Sequence, residues 1–157
     1  MEINFGTNVT NCSVIFNVNG NYGRAPGGGY TERNIYVHGN NWNGHITFPN
    51  AFNKVSISLS GEMNKMVQIQ NGVKSVSFYN CLKFNQNVQI PNSVTYIADA
   101  FHNCLDLNQN IQIPNGVTDV SRMFQNCHKL NQNIRILNSV INIINMFQNC
   151  YNLNQNI

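Results

Sequence analysis

Three stretches of the chain differ by only a few letters. FHNCLDLNQNI, FQNCHKLNQNI and FQNCYNLNQNI begin at Phe101, Phe124 and Phe147, a fixed interval of 23 in the numbering. An apolar residue followed by Asn-Gln-Asn recurs at the same interval, headed by Phe84, Leu107, Leu130 and Leu153, and cysteine recurs at Cys81, Cys104, Cys127 and Cys150. A period of roughly 20–29 residues assigns one turn of a solenoid to each copy. No copy of that size buries its own apolar face, so the core must come from stacking copies on one another.

Weaker copies, at the shorter interval of 21, start at Trp42 (WNGHITFPNAFNKVSISLSG) and Met63 (MNKMVQIQNGVKSVSFYNC). Residues 3–16, INFGTNVTNCSVIF, align with residues 111–124, IQIPNGVTDVSRMF. The Gly-rich segment 17–33, NVNGNYGRAPGGGYTER, matches no copy. This divides the chain into an irregular N-terminal cap, 1–41, containing that loop, and a repeat array, 42–157.

Within one copy, Ile111 and Ile113 flank Gln112, the alternation of a short strand with one face inward. Pro114-Asn115 then turns the chain. Val117 and Val120, three apart, suggest a short 3₁₀ or helical piece leading to Met123-Phe124. In the shorter copies VSISLSG and VKSVSF alternate strictly, so there the second side reads as a plain strand. The expected fold is a right-handed, β-rich leucine-rich-repeat solenoid of about six to seven rungs, more mixed toward its end. Every recurring residue then becomes a column along the stack. That accounts for the 32 asparagines: Asn and Gln offer donors and an acceptor to backbone groups buried between rungs. Asn85, Asn108, Asn131 and Asn154 form one expected ladder, and Asn80, Asn103, Asn126 and Asn149 another.

Charged residues are only 10% of the chain, and the net charge of +3 is scattered. A nucleic-acid binder shows a clustered basic stripe, and this chain does not. No apolar run approaches the roughly 18 residues of a membrane span. EINFGTNVTN after Met1 lacks the basic start and apolar stretch of a secretory signal, so export would use another route or an upstream leader.

The pattern L-N-x-x-I-x-I-P-N-S-V-T-x-I-x-x-x-F-x-N-C resembles the BspA-like class of bacterial leucine-rich repeats, over 42–157 well and 3–16 weakly. Similar repeats occur in bacterial surface proteins, in protozoan families and in phage tail proteins. The resemblance implies a binding or adhesive scaffold with no catalytic residues to transfer. Leu137 stands where proline is expected, and the Gly-rich insertion is a further departure.

Cys127-His128 could be a nucleophile and its base. The residue after cysteine, however, is Leu82, Leu105, His128 or Tyr151, a variable surface column. The cysteines repeat with the core and read as reduced, buried thiols. Cys12, aligned with Val120, reads as a separate core thiol. There is no Cys-x-x-Cys or close Cys/His cluster for a metal. RAPGGGY, 24–30, lacks the following helix and lysine of a phosphate loop, so Arg24 and Tyr30 are at most loop contacts. The carboxylates fall in different registers, and no catalytic set or cofactor site can be assembled. Tyr79, Tyr96, His128 and Tyr151 occupy columns that vary between copies and are the expected partner-binding surface.

The expected function is a non-enzymatic scaffold, extracellular on a cell surface or virion, that recognises a host protein or glycan. The alternative is a structural spacer or assembly element of a larger particle. The chain stops at NLNQNI, partway through a copy, so continuation beyond 157 or self-association through that end is expected.

Overall fold

A computed structural model describes residues 2–4, 9–15, 34–39, 42–48, 54–59 and 67–156. Seven short strands occupy the first half: β1 (Glu2–Asn4), β2 (Val9–Ile15), β3 (Asn34–Gly39), β4 (Trp42–Phe48), β5 (Lys54–Leu59), β6 (Val67–Ile69) and β7 (Ser75–Ser77). Odd-numbered strands form one parallel sheet, β1-β3-β5-β7, and even-numbered strands form another, β2-β4-β6. Each circuit of the chain therefore adds one strand to each sheet. Val37, Val55 and Ile57 of the first sheet share one buried core with Val67 and Ile69 of the second. Val55 and Ile57 are buried on either side of half-buried Ser56, which is the alternation of a strand with one face in the core.

The pairing register corrects the N-terminal alignment. Ile3 pairs with Val37, which pairs with Ile57, so it belongs to the odd-numbered sheet. It is Val14 that lies opposite Ile46, which in turn lies opposite Val67, in the column of Ile111. Alternating apolar residues occur on both sides of a circuit, and side-chain period alone does not say which side a strand occupies. The Gly-rich segment 17–33 lies outside the described residues. It falls between β2 and β3, and β1 and β3 nevertheless pair in register.

After β7 the ladders change character. Ser75 bridges Tyr96, still at the shorter interval between copies. The Phe78 amide, in contrast, donates to the carbonyl of Ala100, which places Phe78 against Phe101 at the longer interval. The two extra residues lie between those points. They do not produce the 3₁₀ or helical piece expected there; the described residues contain no helix, and residues 78–156 contain no strand, so the short strand expected at Ile111 and Ile113 does not form either. Instead this side is a chain of tight turns closed by amides three residues on, such as Ala100 to Ile97, His102 to Asp99 and Cys104 to Phe101. Left-handed residues interrupt any helix: Asp99, Arg122 and Asn145 (φ 58°, 52° and 56°), then Asn103, Asn126 and Asn149 (φ 60°, 62° and 61°). Positive φ at the third residue of a turn is what a type II turn requires, and asparagine tolerates it best after glycine. Ile111 and Ile113 are buried around exposed Gln112, so the alternation survives without the ladder.

The proline turn forms as expected. Val94 and Val117 donate to the carbonyls of Pro91 and Pro114, and Val140 donates to Leu137, so the same turn closes without proline. Inside, Phe78, Phe101, Phe124 and Phe147 stack at centroid distances of 5.2, 5.7 and 5.7 Å with rings nearly parallel. One phenylalanine per copy thus fills the space between successive circuits.

Asn126 combines a left-handed backbone with bonds to copies on both sides. Asn126→Ala is expected to cost about 2–3 kcal/mol from lost left-handed tolerance and amide bonds. Asn126→Gly, which keeps the backbone, should cost measurably less, as read from urea unfolding midpoints.

Candidate partner-binding face

Two amide ladders fix the spacing of the surface columns. The amides of Asn108, Asn131 and Asn154 donate to the Oδ1 of Asn85, Asn108 and Asn131 at 2.8, 2.9 and 3.0 Å. The Nε2 of Gln109, Gln132 and Gln155 reaches the same three oxygens. On the turn side, Nδ2 of Asn103, Asn126 and Asn149 donates to Oδ1 of the asparagine one copy earlier at 2.5–2.7 Å. Both expected ladders are present. Each holds a residue opposite its counterpart 23 positions away, so any two residues at that spacing become neighbours.

That rule assembles the surface. Tyr79 stacks on His102 (5.0 Å) and His128 meets Tyr151 (4.9 Å), each pair bridging two copies. Asp106 lies between Lys83 (3.2 Å) and Lys129 (2.8 Å). Arg122 donates through Nε and Nη2 to the two oxygens of Asp99 at 2.7 and 2.9 Å. Gln125 bonds Gln148, and Asn142 donates to Asp119 at 3.0 Å. The columns of Tyr79, of His128 and Tyr151, and of the Lys-Asp-Lys series lie within three residues of the Asn80 column along the chain.

Of the expected surface residues, Tyr79, Tyr96 and Tyr151 are 41%, 53% and 72% exposed, and His128 is half-buried. Tyr79 immediately precedes Asn80 in the chain, and His128 and Tyr151 follow Asn126 and Asn149 by two residues. Tyr96 stands apart, in the column of Asp119 and Asn142. Arg24 and Tyr30 lie outside the described residues. Residue-by-residue reading missed His102 as the partner of Tyr79 and the pairing of Asp99 with Arg122. The usable clue was spacing across unlike residue types, since each pair is separated by the interval of the ladders.

The carboxylates serve these pairs. Hydrogen bonding from Arg122 holds the Asp99 carboxyl below its ordinary range, against the opposing effect of partial burial. Lys129 and, less strongly, Lys83 do the same for Asp106, and bonds from Ser121 do so for Asp119. His102 Nδ1 is buried without a hydrogen bond, 3.5 Å from Asp99 Oδ1, a contact that becomes ionic only on protonation of the ring.

The thiols face inward. Cys81, Cys104, Cys127 and Cys150 are unbridged. The last three donate to the carbonyls of Phe78, Phe101 and Phe124 at 3.0–3.1 Å. Burial, reinforced by the neighbouring thiols, pushes Cys104 far above its ordinary pKa. Burial also raises Cys127, and it brings the half-buried Cys150 to about 11. A protonated, buried thiol is a poor nucleophile, which separates Cys127 from His128 chemically. Among the described residues no group of three or more His, Cys, Asp or Glu could hold a metal, and no helix is long and apolar enough to cross a membrane.

The structure defines a class: a chain of copies stacked in parallel, with surface pairs built across copies. Its family follows from sequence. Residues 46–157 match the family described as Mycoplasma protein of unknown function, DUF285, and the chain belongs to that family. Neither a curated protein nor a solved structure matches it.

Two measurements test this electrostatic picture. Depressed carboxyl pKa values add stability above the unfolded value of about 3.9 and lose it as pH falls through the folded values. Unfolding midpoints should therefore be nearly flat from pH 8 to pH 5 and fall below about pH 4. Iodoacetamide at pH 8 should leave Cys104 and Cys127 of the folded chain unmodified, and Cys150 should be labelled before either as pH approaches 11.

Proposed function

We propose that the chain is a leucine-rich-repeat solenoid of the BspA-like kind and a non-enzymatic binding scaffold, displayed on a cell surface or a virion, for a host protein or glycan. The parallel sheets and the hydrogen-bond ladders that recur once per copy support the solenoid reading. One observation carries the binding reading. Aromatic pairs, Tyr79 with His102 and His128 with Tyr151, stand on columns where the copies differ, with both tyrosines exposed. Such rings present large, stiff contact area at low entropy cost, which suits sugar rings and protein hot spots alike. The ladders beneath hold them at fixed spacing.

A structural-spacer reading is favoured instead by the exposed apolar surface of Ile141, Ile143 and Ile144. The two readings separate experimentally. Glycan arrays and host surface proteins should capture the wild-type chain. Tyr79→Ala or Tyr151→Ala should weaken that capture about tenfold or more, the loss typical of a hot-spot aromatic, with unchanged unfolding midpoints. A spacer would show no capture, or capture indifferent to both substitutions.

A further inference from the structure

Asparagine followed by glycine occurs at 19–20, 43–44, 71–72 and 115–116. Glycine has no Cβ to shield its backbone nitrogen, which can therefore attack the side-chain carbonyl of the asparagine before it. Asn19-Gly20 lies outside the described residues. Asn43 and Gly44 lie within β4, in register with Thr10 and Cys12 of β2, where the ladder holds the backbone that such an attack must rotate.

Asn71 and Asn115 occupy one column, the turn after the inward-facing pair of each copy, together with Asn92 and Asn138. The two glycines that follow them differ. The Gly72 amide donates to Ser93 Oγ at 2.7 Å, and that hydroxyl donates in turn to the Val73 carbonyl at 2.8 Å. Gly72 also has a left-handed backbone, φ 116°. Its nitrogen is engaged. Neither the Gly116 amide nor the Asn115 carboxamide has a hydrogen bond among the described residues, and both residues are exposed. Ser139, the counterpart of Ser93 one copy on from Gly116, donates to the Val117 carbonyl at 2.9 Å and leaves the Gly116 amide free. Asn92 and Asn138 are followed by serine, whose Cβ crowds the attacking nitrogen.

We propose that Asn115-Gly116 is a self-modification site, at which Asn115 is converted through a cyclic imide to aspartate and isoaspartate. The Gly116 nitrogen, its proton lost to base in the solvent, forms a bond to Cγ of Asn115. The Cγ–Nδ2 bond breaks, and Nδ2 takes a proton from water and leaves as ammonia. Water then opens the ring, at Cγ to give aspartate or at the backbone carbonyl to give isoaspartate. The product alters the surface. Asn115 lines the same depression of about 360 Å³ as Arg135, which has no ion pair among the described residues, so the new carboxylate forms beside an unpaired guanidinium. Isoaspartate also lengthens the backbone of a turn that the Val117 amide closes on the Pro114 carbonyl at 3.2 Å.

The test incubates the full chain at pH 8 and 37 °C and reads amide-to-acid conversion by mass spectrometry of proteolytic peptides. Asn115 should convert about tenfold faster than Asn71, the factor that one intact hydrogen bond supports. It should also outpace Asn43, Asn92 and Asn138. Gly116→Ser should bring residue 115 down to the rate of Asn92 and Asn138. A Cβ at Gly116 meets Thr95 Cγ2 at 3.5 Å, an ordinary contact, and serine already stands in this column at Ser93 and Ser139, so the variant should fold. In urea Asn71 and Asn115 should convert alike, since each then merely precedes Gly-Val. Equal rates for Asn71 and Asn115 in the folded chain overturn the proposal, as does an Asn115 no faster than Asn92 and Asn138. A difference between Asn71 and Asn115 that persists in urea would trace to sequence alone and overturn it too.

Discussion

Everything on the turn side depends on one constraint: a backbone without helix or strand must send its amides to the next copy. Tight turns close only some of their own hydrogen bonds, and the remaining groups face the core or the neighbouring circuit, where an unpaired amide costs about 1–3 kcal/mol. The bonds from Asp99, Phe101 and Asn103 to the following copy, and from Arg122, Phe124 and Asn126 to the one after, satisfy them. That requirement fixes the register, and the register fixes the rest. It superimposes the phenylalanines, aligns the thiols with the carbonyls of the preceding copy, and converts the repeat interval into a contact.

The two halves of the chain solve the same problem differently. At the shorter interval between copies, the circuits close as parallel strands. Two more residues at 96–101 relax that geometry into turns, and left-handed residues take up the slack. Asparagine at 80, 103, 126 and 149 answers two demands at once, a backbone that few side chains tolerate and an amide that bonds along the stack. Arg122 has no such tolerance, and its left-handed backbone is accompanied by a two-point bond to Asp99.

Much of this was legible in the sequence, for a physical reason. A repeat reports its own alignment, so the buried columns, both asparagine ladders, the proline turn and the inward thiols follow from periodicity. Besides the register of residues 3–16, three features did not follow. Burial pattern does not distinguish a short strand from an extended segment without a ladder, so Ile111 and Ile113 alternate correctly yet form no strand. Apolar residues three apart suit a helix and a chain of turns equally, and only positive φ at Asp99, Arg122 and Asn145 decides between them. Surface pairs such as Asp99–Arg122 and Tyr79–His102 join unlike residues, which vanish when columns are compared for identity rather than for contact.

The polarity of the inter-copy bonds can be observed directly. Scalar couplings transmitted through hydrogen bonds, measured by NMR on ¹⁵N,¹³C-labelled chain, identify the carbonyl that accepts each amide. The account predicts couplings from the Arg122 amide to the Ile144 carbonyl, from Phe124 to Met146 and from Asn126 to Gln148. Couplings from those amides to carbonyls three or four residues earlier in the chain would show a helical side instead, and would contradict it.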